Sequence, residues 1–324
     1  MLLERNMVYQ GNLILVNRKY PLKRFSRKRE LCPVFAGQPQ IHMERESAQM
    51  LKMLLDEVES CNNESRQERR NEKEGAVQVH LSIVGVSGYR SKEEQTKIFE
   101  DSLEENGRKF TETYVAFPDH SEHQTGLAID LAQNKPEIDF ICPEFPYEGV
   151  CQKFREKMAD FGFIERYPKE KQEVTGIGAE PWHFRYVGAP HARLMQKRGM
   201  VLEEYVEWLK QFDFERNPLI LCREDLSSST PESVCVVESI QGGMADMEIR
   251  IGYVKAQGDY TKIEYMNIQE KRMGTDYVRE GKEDRKAEGR TDSVVSISGN
   301  NVDGFILTCT TGKRPAAAER KIGN

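Results

Sequence analysis

The stretch Ser121–Leu131, SEHQTGLAIDL, sets a histidine and an aspartate seven positions apart in a run of mostly small and apolar residues. Such a pair is either ordinary buried polar decoration or two corners of a metal site that needs a third. Hydrolysis at a metal requires three protein ligands, one open position and a base that is not itself a ligand. The other comparably loaded histidine lies in GAEPWHFRYVG, where His183 follows Glu180 at a spacing of three. On a straight strand that spacing sends the two side chains to opposite faces, so they converge only if the backbone bends or bulges near Pro181. The residue chemistry therefore points to zinc held by His123, Asp130 and His183, with Glu180 as base. Spacings of this kind also arise by chance, so on chemistry alone the decorative reading stays open. Of the other histidines, His80 reads as a core or rim residue of a strand, His120 as a loop residue, and His191, after a proline, as a surface or capping residue at a helix start.

The elements that must carry these side chains follow from periodicity. An N-terminal arm contains a strand-like run, NLILVN at 12–17, and is punctuated by prolines. From about His42 the pattern predicts a helix with Met43, Met50, Met53, Leu54 and Val58 near one face, then the polar insert CNNESRQERRNEKEG. The alternating VQVHLSIVGVSGYRS predicts a strand ending near Ser87, and KEEQTKIFEDSLEENG a helix with Gly107 just past its end. GLAIDLA and EPWHFRYVG read as strands, GVCQKFREKMADFGF as an amphipathic helix stopped by Gly162, and PHARLMQKRGMVLEEYVEWLKQF as one or two closing helices. Beyond Phe214 come short β-type runs, SVCVVESI, MEIRIGYV, TKIEYMNI, DSVVSISG and DGFILTCT, with SGNNVDG as the turn between the last two. The expected division is an arm at 1–38, a domain bearing the candidate site at 39–213, a small β-rich accessory domain at 214–314 and a disordered tail at 315–324.

Bulk properties narrow the function classes. The 324 residues suffice for one large or two modest domains, and the net charge of −6 provides no global attraction to nucleic acid or anionic lipid. The basic stretch RKYPLKRFSRKR is short and reads as a solvated arm. No apolar run approaches the roughly 20 residues that cross a bilayer. NLILV falls short of the ~7–15-residue core of a secretory signal. The expectation is a soluble, cytoplasmic chain as given; an export segment trimmed away would leave the same sequence and place it at the cell surface. Seven scattered cysteines without a CxxC argue against a disulfide framework or a thiolate zinc site, although Cys142 and Cys151 flank a loop and could pair in an oxidising compartment.

Three ordered blocks carry a resemblance. SEHQTGLAIDL fits SxHxxGxAxD, EPWH fits ExxWH, and SGYRSKEEQ supplies the block from Ser87 to Gln95. LVNRKYPL, FGFIERYP and TGIGAEPWHFRYVG agree with them, and together they resemble the VanY-type zinc D-alanyl-D-alanine carboxypeptidases of the LAS peptidase group over about residues 12–212. The resemblance implies one zinc ion bound by His123, Asp130 and His183, with Glu180 as general base and acid. It also implies that Arg90 polarises the scissile carbonyl or steadies the oxyanion, that Gln95 and Ser121 hold the terminal D-Ala, and that Trp182 packs beside the site.

The expected fold is α+β: the resemblance implies a small, mainly antiparallel sheet that carries the zinc site between flanking helices, and the β-type runs beyond Phe214, outside the match, add a small C-terminal β domain. The implied partner is a peptidoglycan stem peptide or precursor ending in D-Ala-D-Ala, with no nucleic acid and no transmembrane segment. D,D-carboxypeptidase activity is the leading expectation. A D,D-dipeptidase, an enzyme doing both, and an L,D-carboxypeptidase compete with it, and pocket depth in the loop from Asn134 to Gly149 would decide among them. A cell-wall-binding module without turnover is the reading from another class; the presence of Glu180 together with Arg90 speaks against it.

Overall fold

The computed structural model describes residues 2–23, 30–67, 82–222, 247–262 and 291–313. His80, the run SVCVVESI, most of TKIEYMNI, the charged stretch 270–290 and the expected tail lie outside those residues. The chain divides into two compact units, Met1–Ile14 with Val206–Asn324, and Leu15–Tyr205. The division differs from the boundaries expected at 38/39 and 213/214.

In chain order the elements are β1 (Leu2–Glu4), β2 (Leu31–Phe35), β3 (Gln38–Glu44), α1 (Arg45–Gln67), β4 (Ile83–Ser87), α2 (Lys92–Tyr114), β5 (Ala128–Gln133), α3 (Gly149–Lys157), β6 (Phe163–Tyr167), α4 (Gln172–Thr175), β7 (Glu180–Tyr186), α5 (Ala189–Arg198), α6 (Leu202–Leu209), β8 (Leu219–Cys222), β9 (Met247–Lys255), β10 (Tyr260–Lys262), β11 (Thr291–Gly299) and β12 (Gly304–Lys313). The architecture is α+β, with small antiparallel sheets and a separate C-terminal β-rich region.

In the Leu15–Tyr205 unit, β4, β5, β7 and β6 form a four-stranded sheet in that order, and every pairing is antiparallel. β2 and β3 make a separate hairpin. Strand β5 is buried along almost its whole length, as a central strand covered on both faces must be. Alternation assigns its two faces different work. Ile129 and its cross-strand partner Phe184 look towards the helices, where Phe184 meets Phe145 and Phe154 at ring-centroid separations of 5.0 and 4.8 Å. Asp130 and its cross-strand partner His183 share the other face.

Helix α1 packs on α3 and β2. Its buried stripe is Ala48, Leu51, Leu54, Leu55 and Val58. The i, i+3, i+4 spacing is the expected one, but the face is rotated: Met43 ends up in β3 and Met53 is exposed. Helix α2 starts on a capping box, in which the Ser91 hydroxyl accepts from Glu94 N and the Glu94 carboxylate accepts from Ser91 N. Gly107, expected just past its end, is instead an internal break at φ 76°, after which helical structure resumes to Tyr114.

In the other unit, β11, β12, β9 and β8 form an antiparallel sheet, and β1 pairs with β10. Leu3, Val8, Phe214, Ala256, Phe305, Leu307 and Cys309 make its apolar cluster. The turn SGNNVDG joins β11 to β12 as expected. The Asn300 side-chain oxygen accepts from Val302, Asp303 and Gly304 N, each at 3.0 Å. The N-terminal residues belong to this unit because their backbone is used there: Gly299 N donates to Gln10 O, and Asn301 N to Val8 O. The run NLILV is buried but forms no strand, and Leu13 N donates to the Ser298 hydroxyl at 2.8 Å rather than to a strand partner. Burial without a neighbouring strand edge produced an apolar run that alternation alone misreads.

No helix among the described residues is long and apolar enough to cross a membrane. Cys142 and Cys151 are both free thiols, so the pairing weighed for them is not made.

Candidate metal centre

Three elements deliver the ligand set. His123 lies on a 3-10 turn, Glu122–Thr125, that ends in Gly126 at φ 73°, a left-handed conformation cheap only for glycine. A Cβ at Gly126 would also meet Leu31 and the Glu44 backbone at 3.1 and 3.2 Å. The turn therefore packs closely and runs straight into β5, which carries Asp130. His183 is supplied by β7, directly opposite Asp130.

Bulges complete the set. Between Glu165 and Tyr167, β6 advances two residues while β7 advances four, from Phe184 to Glu180. The extra length falls at Pro181–Trp182–His183 and supplies the bend the sequence demanded. Glu180 Oε2 thereby lies 3.8 Å from His183 Nδ1 instead of on the opposite face. A second irregularity, between Gly85 and Ser87 of β4, sits beside Asp130.

The candidate ligand atoms of His123, Asp130 and His183 lie within 4.8 Å of one another, and all three residues are buried. His123 Nε2 is 3.1 Å from Asp130 Oδ2, and His183 Nδ1 is 2.9 Å from Asp130 Oδ1. The two imidazoles meet edge to face at 4.9 Å. His123 Nδ1 lies 2.7 Å from the Gly88 carbonyl, so Nδ1 carries the proton and Nε2 presents its lone pair to the centre. Two imidazole nitrogens and one carboxylate fit catalytic zinc, which takes three protein ligands and keeps one position open.

The field inside the pocket agrees with a cation. Burial disfavours charge on His183, but the Asp130, Glu122 and Glu180 carboxylates outweigh it and push its pKa up to about 9. His123, desolvated and facing Arg90, goes the other way, down to about 4. Burial pushes Glu180 up to about 8, against the pull of His183 and with a further push from Asp130. A buried carboxyl of that basicity can take and return a proton near neutral pH.

The remaining expected residues surround this centre unevenly. Arg90 Nη2 donates to Asp130 Oδ2 at 2.8 Å, and its Nε to the Ser87 hydroxyl at 2.7 Å. Gln95 is buried; its amide donates to the Ala116 carbonyl at 2.8 Å, while its oxygen faces Arg90 Nη1 at 3.4 Å. Ser121 is buried at the start of the His123 turn and makes no side-chain cap bond. Trp182 is half-buried in the bulge. His120 is no ligand, since its ring contacts the Asn17 carbonyl. His191 is buried against the Tyr205 hydroxyl at 2.8 Å rather than at the surface or in a cap.

Sequence reasoning missed a buried ionic layer behind His183. Glu122 Oε1 takes Arg166 Nε at 2.8 Å and Arg185 Nη1 at 2.9 Å, with no exposure of any of the three side chains. Glu203 grips Arg166 through both guanidinium nitrogens at 2.8 and 2.7 Å. Burial alone would raise the Glu122 pKa, but Arg166 and Arg185 hold it far below the usual carboxylate range. The available signal was charge in the middle of apolar strands, in FIERY and WHFRY.

The VanY family model, D-alanyl-D-alanine carboxypeptidase, matches residues 60–189. The bifunctional D-Ala-D-Ala dipeptidase and carboxypeptidase VanXYC of Enterococcus gallinarum is 38% identical over 202 residues, which is 62% of this chain and 96% of that protein. A D-alanyl-D-alanine carboxypeptidase of Enterococcus faecium is 32% identical over 214 residues, 63% of this chain and 60% of that protein. Among solved structures, the vancomycin-resistance D,D-dipeptidase VanXYg, in complex with a D-Ala-D-Ala phosphinate analogue, superposes with a TM-score of 0.70 at 39% identity. That match covers 96% of this chain and 98% of the other.

Proposed function

The chain belongs to the VanY/VanXY family of zinc D-Ala-D-Ala carboxypeptidases, and from that membership we propose that it hydrolyses the terminal D-Ala-D-Ala bond of peptidoglycan stem peptides or their precursors. One observation carries the reading: His123, Asp130 and His183 converge within 4.8 Å, and a buried carboxyl that is not one of the three, Glu180, lies 3.8 Å from His183. His123 Nε2, Asp130 and His183 Nδ1 hold the metal. Bound zinc supplies Lewis acidity, which makes water acidic enough to serve as a nucleophile near neutral pH.

Glu180 takes the proton of the attacking water on a carboxylate oxygen and returns it to the departing D-Ala amine. Arg90, fixed by Asp130 and Ser87, brings a permanent charge to where the scissile carbonyl develops negative charge. Both ends of the Gln95 amide are engaged, so in this reading it serves the substrate through Arg90 rather than by direct contact. In this reading Ser121 helps to hold the terminal D-Ala and Trp182 packs beside the site.

A second reading, in which the free dipeptide is also cleaved, is supported by the relatives covered almost end to end. VanXYC is bifunctional and VanXYg is a D,D-dipeptidase. The test is D-alanine release by the zinc-loaded protein from free D-Ala-D-Ala, a pentapeptide stem and a tetrapeptide stem, each with a chelated control. Chelator-sensitive release from the pentapeptide is expected, and the dipeptide lane reports bifunctionality. Silence on both D,D substrates with zinc bound overturns the proposal.

A further inference from the structure

Glu122 adjoins the ligand His123 in sequence, yet its side chain turns towards the other histidine. Its Oε1 accepts from Arg166 Nε at 2.8 Å and forms an ion pair with Arg185 Nη1 at 2.9 Å. Its Oε2 has no hydrogen-bond partner and faces His183 Nε2 at 3.7 Å; that nitrogen, also buried, has none either.

Arginine–carboxylate pairs are frequently bidentate, with both oxygens on one guanidinium fork, as Glu203 is with Arg166. Glu122 instead gathers two cations on one oxygen and leaves the second to the imidazole. Arg166 and Arg185 against Glu122 and Glu203 also balance in charge, so the carboxylate can stay ionised beside the ring. Asn17 Nδ2 donates to Glu203 Oε1 at 3.1 Å and anchors the far end of the chain of charges.

We propose that Glu122 is the positioning residue for His183: with Nδ1, now 2.9 Å from Asp130 Oδ1, given over to the metal, the otherwise unpartnered Oε2 closes its 3.7 Å separation to accept a hydrogen bond from Nε2–H and so fixes the tautomer. The inference rests on the zinc reading above. Removing such an outer partner of a ligand histidine typically costs about 10–100-fold in metal affinity.

The experiment has two parts. Zinc affinity of the wild type and of Glu122→Gln is measured by competition with a chromophoric chelator, with circular dichroism to verify folding. An affinity about 10–100-fold lower in the folded variant is expected, and equal affinities overturn the proposal. Because Glu122→Gln leaves two buried arginines short of a counter-charge, the wild type carries an independent test. In its zinc-loaded form with 15N-labelled histidine, His183 should show a protonated, exchange-protected Nε2 and a metallated Nδ1. A protonated Nδ1, or an Nε2 proton exchanging freely with solvent, overturns the proposal. A wild type that binds no zinc overturns the zinc reading itself, whereas tight wild-type binding unaffected by the variant overturns only the role of Glu122.

Discussion

Replacing Arg155 with methionine should destabilise the Leu15–Tyr205 unit by about 4 kcal/mol. Arg155, on α3, is almost fully buried, and its guanidinium is almost completely used. Nε donates to Glu165 Oε2 at 2.7 Å, Nη1 to the Pro146 carbonyl at 2.8 Å, and Nη2 to the Phe145 and Pro181 carbonyls at 2.9 and 2.7 Å. The group also lies over the Tyr147 ring at 3.9 Å and the Phe145 ring at 4.8 Å. Hydrogen bonds to a charged group are each worth about 1.5–3 kcal/mol, but summing four of them counts the desolvation of one guanidinium several times. The relevant figure is the cost of breaking a buried pair by removing one partner, about 3–5 kcal/mol. Methionine fills much of the alkyl volume, so the change isolates the charge and its donors. At about 2–4 °C per kcal/mol for a unit of this size, the melting temperature should fall by roughly 8–16 °C. The assay is urea and thermal denaturation followed by circular dichroism, run as a double-mutant cycle with Glu165→Gln. A loss below about 1 kcal/mol would refute the claim that Arg155 ties the loop after β5 to the strand carrying Glu180 and His183, and additive single effects would refute its coupling to Glu165 on β6.

Glu180→Ala should retain zinc and lose about 10²–10⁴-fold in turnover, the usual contribution of a positioned base; D-alanine release and metal content, measured on the same sample, check both. His123→Ala should lose bound zinc, and a fully loaded variant would mean that the centre is built elsewhere. Burial holds His191 down at about 4, below the ~6.5 of an unfolded histidine. The unfolded chain therefore binds the extra proton between those values, so this contribution is fully present above about pH 6.5 and is lost as pH falls towards 4. It amounts to about 3 kcal/mol. His191→Leu should flatten the stability–pH slope in that window, and an unchanged slope would show that other groups set it.

The metal corners were legible because His123 and Asp130 sit in one short stretch, and the third lies in another with an unusual proline. A bend near Pro181 was required only if Glu180 and His183 were to share one centre, and the length of the bulge was not legible. The ionic layer was not legible, because Glu122 meets Arg166 at a separation of 44 residues and no local pattern encodes that partner. Burial of His191 escaped for the same reason: the Tyr205 hydroxyl that satisfies it comes from the next helix. The first 14 residues read only as part of an N-terminal arm because the β11–β12 turn that uses their carbonyls is almost 300 positions away.

The direct opposition of Asp130 and His183 on neighbouring strands bears on the order of assembly. Those two residues are 53 positions apart, and only closure of the β5–β7 ladder makes them neighbours. An ion meeting the nascent chain finds His123 and Asp130 at most, too few to hold it against water. A complete ligand set would therefore exist only once the β5–β7 ladder has closed, and a bound ion would link the two strands. Each tenfold excess of free zinc over its dissociation constant adds about 1.4 kcal/mol to the folded state, so metal supply would act on the lifetime of this protein as well as on its rate.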